Sequence, residues 1–228
     1  MKILSRTAAR DVQTVSYIDA NTSESHKVLR NTYMLLSMTL LFSALTAGAT
    51  IAFAIPGPGM LLTLAGYFGL LFATTKLRNS AWGIAAVFAL TGFMGYTLGP
   101  IVSRYLHMPG GSAIVMTAMG MTGLIFLGLS AYVLVSKRDF SFIGGFLMIG
   151  MLVAFVASLG AIFFQIPALS MTISAVMVLL MSGMILFETS NIIRGGETNY
   201  IMATVNLYVT IFNLFTSLLQ LLGYMEKE

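Results

Sequence analysis

"NYIMATVNLYVTIFNLFTSLLQLL", residues 199–222, is the stretch on which the architecture turns. It is long enough to cross a membrane, which takes about 20 residues of helix. Yet Asn199, Asn206, Thr210, Asn213, Ser217 and Gln220 recur within it at intervals of three, four or seven. On a helix of 3.6 residues per turn that spacing lines them along one face, with Leu207, Val209, Ile211, Leu214 and Leu218 over much of the remainder. An unpaired amide against lipid costs on the order of several kcal/mol. The stripe is therefore expected to face protein or trapped water, which puts the last helix at the centre of a bundle.

Composition says what surrounds that helix. Hydrophobic residues make up 57% of the 228-residue chain and charged residues 9%, with a mean hydropathy of +0.90. Soluble domains carry about 25% charged residues, so this chain cannot cover a water-facing surface. The expected class is an all-α integral membrane protein of seven transmembrane helices. The absence of cysteine excludes disulfides, thiolate catalysis and thiolate metal sites. A net charge of +4 is read as the basic bias of cytoplasmic loops, not as a nucleic-acid surface.

Charges and Pro/Gly turns cut the chain into spans at roughly 31–55, 59–75, 80–103, 112–135, 140–164, 169–190 and 199–222. The division expected is a cytoplasmic tail over 1–29, a membrane domain over 30–224 and a short tail over 225–228. The first 29 residues are no signal peptide, because Lys2, Arg6, Arg10, Asp11 and Asp19 interrupt any apolar core. They read as a mobile polar tail.

Lys2, Arg6, Arg10, Lys27, Arg30, Lys76, Arg78, Lys137, Arg138 and Arg194 fall on one side of this arrangement, and only Arg104 and Lys227 on the other. The positive-inside rule places the ten in the cytoplasm, with the amino terminus inside and the carboxy terminus outside. Gly95 and Gly99, in "TGFMGYTLGP" at 91–100, form a GxxxG pair that lets two backbones approach closely.

The charge that resists this pattern is Glu188, in "ILFETSNIIRGGETNYI" at 185–201. Met177, Met181 and Met184 precede it on the same helical face and read as adaptable packing. A carboxylate within a span usually marks function. The competing reading is that it lies near the cytoplasmic end and snorkels, or forms a local ion pair with Arg194 or Arg78. If Glu188 faces the polar stripe, it can act as a proton-operated latch that holds a cationic partner when ionised and releases it when protonated. The stripe of Asn206, Asn213 and Ser217 likewise admits two readings, interhelical hydrogen bonding or a hydrated pathway.

No enzyme is expected. His26 and His107 fall outside the spans, so there is no intramembrane Ser–His pair and no HExxH metal motif. No cofactor and no metal site are expected.

The segment "LFETSNIIRGGETNYIMATVNLYVTIFNLFTSLLQLLG" at 186–223 resembles the carboxy-terminal signature of the Bax inhibitor-1 family, especially its bacterial YccA branch. "HKVLRNTYMLLSMTL" at 26–40, "GFMGYTLGPI" at 92–101 and "DFSFIGGFLMIG" at 139–150 agree in order and spacing. The resemblance implies seven helices with the last surrounded by the other six. It also implies a pH-dependent leak of calcium or protons through two acidic positions. The first of these matches Glu188; the second falls on Thr210, which carries no charge. One carboxylate with Thr210, Asn206 and Asn213 makes a weaker calcium ligand set than two carboxylates. Arg78 matches a basic residue that recurs after the second helix. The same branch implies a membrane-anchored AAA-type protease as partner, for which an unstructured tail would serve as a handle.

Overall fold

The computed structural model describes residues 2–226, with side chains from Glu24 onward except Ile162. Seven helices form it: α1 (Lys2–Ala52), α2 (Met60–Leu77), α3 (Trp82–Leu106), α4 (Gly111–Ser136), α5 (Gly144–Phe164), α6 (Pro167–Ile193) and α7 (Tyr200–Met225). A single 3-10 turn, Ser141–Ile143, leads into α5. All seven contain a stretch long and apolar enough to cross a membrane, and in α1 that stretch is Glu24–Ala52.

The boundaries follow the separators in the sequence, with two differences. First, α6 starts at Pro167, inside "QIPALS"; proline has no N–H to lose at the first turn of a helix. Second, α1 runs back through residues expected to form a mobile tail. That segment holds no proline or glycine, and Ile3, Leu4, Ala8, Val12 and Val15 recur near helical spacing, so nothing in it ends the helix early. His26 and Lys27 consequently lie in the first apolar helix, not in a tail. Lys227 lies outside the described residues.

Half of the most apolar window of α7 is buried, against 6% for α2 and 11% for α5. Helices α1, α3, α4 and α6 pack on α7 directly, while α2 leans on α3 and α5 leans on α6. The core runs along α7: Leu207, Leu214 and Leu219 are wholly buried and meet Leu36, Leu90 and Ile185 from the surrounding helices.

Lipid gives no water-driven force to press helices together, so contact area decides the packing. Gly95 and Gly99 act there. A Cβ on Gly95 would collide with Thr46 Oγ1 and the Ser43 carbonyl, and one on Gly99 with Thr50 Oγ1 and the Ala47 carbonyl. Bare backbone thus lets α3 lie flush on α1. The two threonines bond back to their own helix, Thr46 Oγ1 to Ser43 O at 2.9 Å and Thr50 Oγ1 to Ala47 O at 2.8 Å. The α5–α6 seam repeats the device: Gly150 receives Leu180, and Gly183 receives Leu147.

Among the described residues, buried side-chain polar atoms find partners except Thr32 Oγ1 and the Tyr33 hydroxyl. Tyr208 of α7 is 1% exposed; its hydroxyl lies 2.6 Å from Ser43 Oγ on α1 and donates to Thr91 O on α3 at 3.3 Å. Three helices are pinned by one phenol. Ser130 of α4 and Thr189 of α6 are 3.4 Å apart and join a second seam.

Candidate functional site

Glu188 sits in the last two turns of α6, where the apolar run of that helix gives way to Thr189, Ser190 and Asn191. Its side chain turns inward and is 7% exposed. Thr210 Oγ1 on α7 lies 3.1 Å from each carboxyl oxygen. The stripe on α7 and the acid on α6 therefore meet.

They meet at the wall of a cavity of about 570 Å³. Helices α6 and α7 form its floor, with Met177, Met181 and Met184 along one side and Asn206, Thr210 and Asn213 along the other. Tyr67 and Leu71 of α2 and Met151, Phe155 and Ser158 of α5 stand across from them. Asn206 is exposed to this space. Asn213 gives its amide to Val209 O on its own helix at 2.8 Å.

The stripe is not uniform. Asn199 is the amino-terminal cap of α7, its Oδ1 accepting from Ile201 N at 3.0 Å and Met202 N at 3.1 Å. Ser217 is buried. Gln220 belongs to a separate recess with Arg104, Tyr105 and Tyr224 at the opposite end of the bundle.

Neither proposed arginine pairs with Glu188. Arg194 is held at the surface by Asp139, Nε to Oδ1 at 3.5 Å, and donates to Lys137 O at 3.1 Å. Arg78 is exposed in the α2–α3 turn, where its carbonyl accepts from Asn199 Nδ2 at 3.1 Å. The reason is local: both arginines follow the last turn of a helix, and the backbone there carries them away from the bundle axis.

Two further polar residues line the cavity. Asn191 is one turn on from Glu188, so helical spacing alone would have found it. Glu197 lies in the α6–α7 turn, accepts from Asn199 N at 2.8 Å and also borders the cavity, and no periodicity points to it. No group of three or more His, Cys, Asp or Glu able to hold a metal occurs among the described residues.

The α6–α7 turn ties together the loops at its end of the bundle. Asn199 Nδ2 donates to Asn79 Oδ1 at 2.8 Å, joining α7 to the α2–α3 turn. Ser190 Oγ accepts from Phe140 N at 3.1 Å and donates to Arg138 O at 3.4 Å, joining α6 to the α4–α5 loop. Asp139 Oδ1 accepts from Ser141 N at 2.9 Å. The hydrogen bonds from Ser141, with Arg194 adding a smaller contribution, hold the Asp139 carboxyl below the usual carboxylate range.

A family model described as "Inhibitor of apoptosis-promoting Bax1" matches residues 25–227. The chain belongs to the Bax inhibitor-1 family. Among its Bax inhibitor-1 relatives is a protein of Escherichia coli (strain K12) named "Modulator of FtsH protease YccA", 54% identical over 204 residues that cover 90% of this chain and 93% of the relative. A second Escherichia coli relative, with the same identity and coverage, is named "Inner membrane protein YccA". A Vibrio cholerae membrane protein is 49% identical over 208 residues, 91% of this chain and 93% of its own length.

Proposed function

We propose that this Bax inhibitor-1 family protein modulates a membrane-anchored FtsH-type AAA protease in a bacterial inner membrane, with its amino terminus in the cytoplasm. The observation that carries this reading is the 54% identity, spread over nearly the whole of both chains, with a relative named for that role. The physical chemistry is compatible with it. A bundle locked by flush glycine contacts resists extraction, and the stretch of α1 ahead of its first apolar run, with Lys2, Arg6, Arg10, Asp11 and Asp19, offers a pulling protease a charged segment outside the apolar spans.

The test is turnover of a reporter membrane substrate of the protease, with the chain present, absent, or shortened by residues 2–20. The full chain is expected to slow reporter turnover, and the shortened chain to persist longer than the full one. Reporter turnover that is the same with and without the chain rejects the reading.

A second reading follows from the site itself: a pH-responsive leak or exchange of calcium or protons switched at Glu188. What supports it is a buried carboxyl at the wall of a cavity that also presents Asn206, Thr210 and Asn213. In proteoliposomes, calcium and proton flux measured against pH should respond differently in wild type and in Glu188→Gln. Flux no greater than that of empty liposomes, or an unchanged pH response in the variant, counts against this reading.

A further inference from the structure

The cavity beside Glu188 has an open side. Helix α2 packs on α3 and α5 packs on α6, and the two form no packed interface with each other. Tyr67 on α2 and Phe155 on α5 face the same space across this break, and Phe155 is 54% exposed. The slot thus opens sideways between the apolar lengths of α2 and α5.

We infer that this slot docks a transmembrane helix of a partner protein, one carrying an uncharged polar side chain that bonds to Asn206. The inference rests on the protease reading above and gives it a location. Three observations carry it.

The first is chemical. Asn206 lies about 9 Å of helix in from Tyr200, the first residue of α7, and is exposed into the slot. Its amide has no side-chain partner among the described residues. Asn213, deeper in, spends its amide on Val209 O and keeps its carbonyl oxygen for an incoming donor. Acyl chains offer neither donor nor acceptor, so lipid filling the slot would leave these groups unpaired. A hydroxyl or amide on a neighbouring helix satisfies Asn206; Asn213, about 10 Å further along α7, takes a second such group two turns on.

The second is shape. Along α6 the lining runs from Met177 to Ile192, about 22 Å of helix, or four turns. A volume of about 570 Å³ takes several side chains but not a whole helix. The partner therefore lies across the mouth and inserts one face.

The third is the wall. Met177, Met181 and Met184 form a row of flexible thioethers, a surface that moulds to whatever side chains enter.

The test places a photo-crosslinking amino acid at Phe155 or Tyr67, with Leu124 as control; Leu124 is 75% exposed on α4, away from the slot. The full chain is expressed in membranes that contain the FtsH-type protease, irradiated, and its adducts identified by mass. The expected result is a protease adduct from Phe155 and Tyr67 but none from Leu124. Asn206→Leu should lower the Phe155 adduct yield about three- to ten-fold, the range of one interhelical hydrogen bond. Co-purification with the protease, but with adducts only to lipid, only to a second copy of the chain, or equally from Leu124, overturns the docking site and leaves the protease reading standing. No co-purification overturns both.

Discussion

Thr210 stands midway between the two oxygens of Glu188, 3.1 Å from each. A hydroxyl has one proton to give, so it serves one carboxyl oxygen at a time. The carboxyl also borders the cavity. The acid is thus held by α7 at the edge of open space, an arrangement that a surface ion pair with Arg194 would have prevented.

Replacing Thr210 with valine removes that donor while keeping the shape. A buried polar group left unpaired costs about 1–3 kcal/mol. Thr210→Val is therefore expected to lower the unfolding midpoint in detergent, with Thr210→Ser close to wild type. Equal midpoints for valine and wild type would mean the hydroxyl does not hold the carboxyl.

The α1–α3 seam has no room for a methyl group at Gly99, where a Cβ meets Thr50 Oγ1 and backbone. Gly99→Ala should destabilise by about 1–3 kcal/mol through overpacking. Gly120 provides the contrast, since a Cβ there meets nothing within 4 Å. Gly120→Ala should instead be neutral or stabilise by up to about 1 kcal/mol, the ordinary gain in a helix. Thermal unfolding of the pair in one detergent checks both signs.

Asn199 does two things, which separate by substitution. Asn199→Ala loses the cap on Ile201 N and Met202 N and is expected to cost about 0.5–2 kcal/mol. Asn199→Asp keeps the cap but loses the donor to Arg78 O and Asn79 Oδ1. Amide exchange then reports the difference: faster at the start of α7 in the alanine variant, faster in the α2–α3 turn in the aspartate variant.

The Asp139 carboxyl is held below its ordinary range by its bonds from Ser141 and by Arg194. A depressed folded-state value means that its contribution is present above the unfolded carboxylate range and is lost as pH falls through the folded one. Wild type should therefore be more stable than Asp139→Ala at neutral pH, and the two should converge in strong acid. A gap in melting temperature that stayed constant down to pH 3, within the titration range of ordinary carboxylates, would contradict this.

The seven spans were legible because lipid demands long apolar runs, and the charged or Pro/Gly breaks between them are short. The central place of α7 was legible for the same reason, since Asn and Thr at helical spacing have nowhere to hide in hydrocarbon. The partner of Glu188 was not. Charge complementarity pointed to Arg78 and Arg194, but whether a side chain just past a helix end points in or out depends on the path of the turn. That path is set by contacts between segments far apart in the chain, the ion pair of Arg194 with Asp139 and the hydrogen bond from Asn199 to Asn79. Glu197 stayed hidden for the same reason. Asn191 did not have to, lying one turn beyond Glu188 on the same face.

Because the middle of the bundle is α7, which follows the six helices it joins, a nascent chain on the ribosome must wait for residue 200 and beyond before its interior exists. Until then Tyr208 has not reached Ser43, the Glu188 carboxyl lacks its hydroxyl, and α1, α3, α4 and α6 lack the helix they all pack on. The core of this bundle is therefore assembled late in synthesis, out of contacts between segments far apart in the chain.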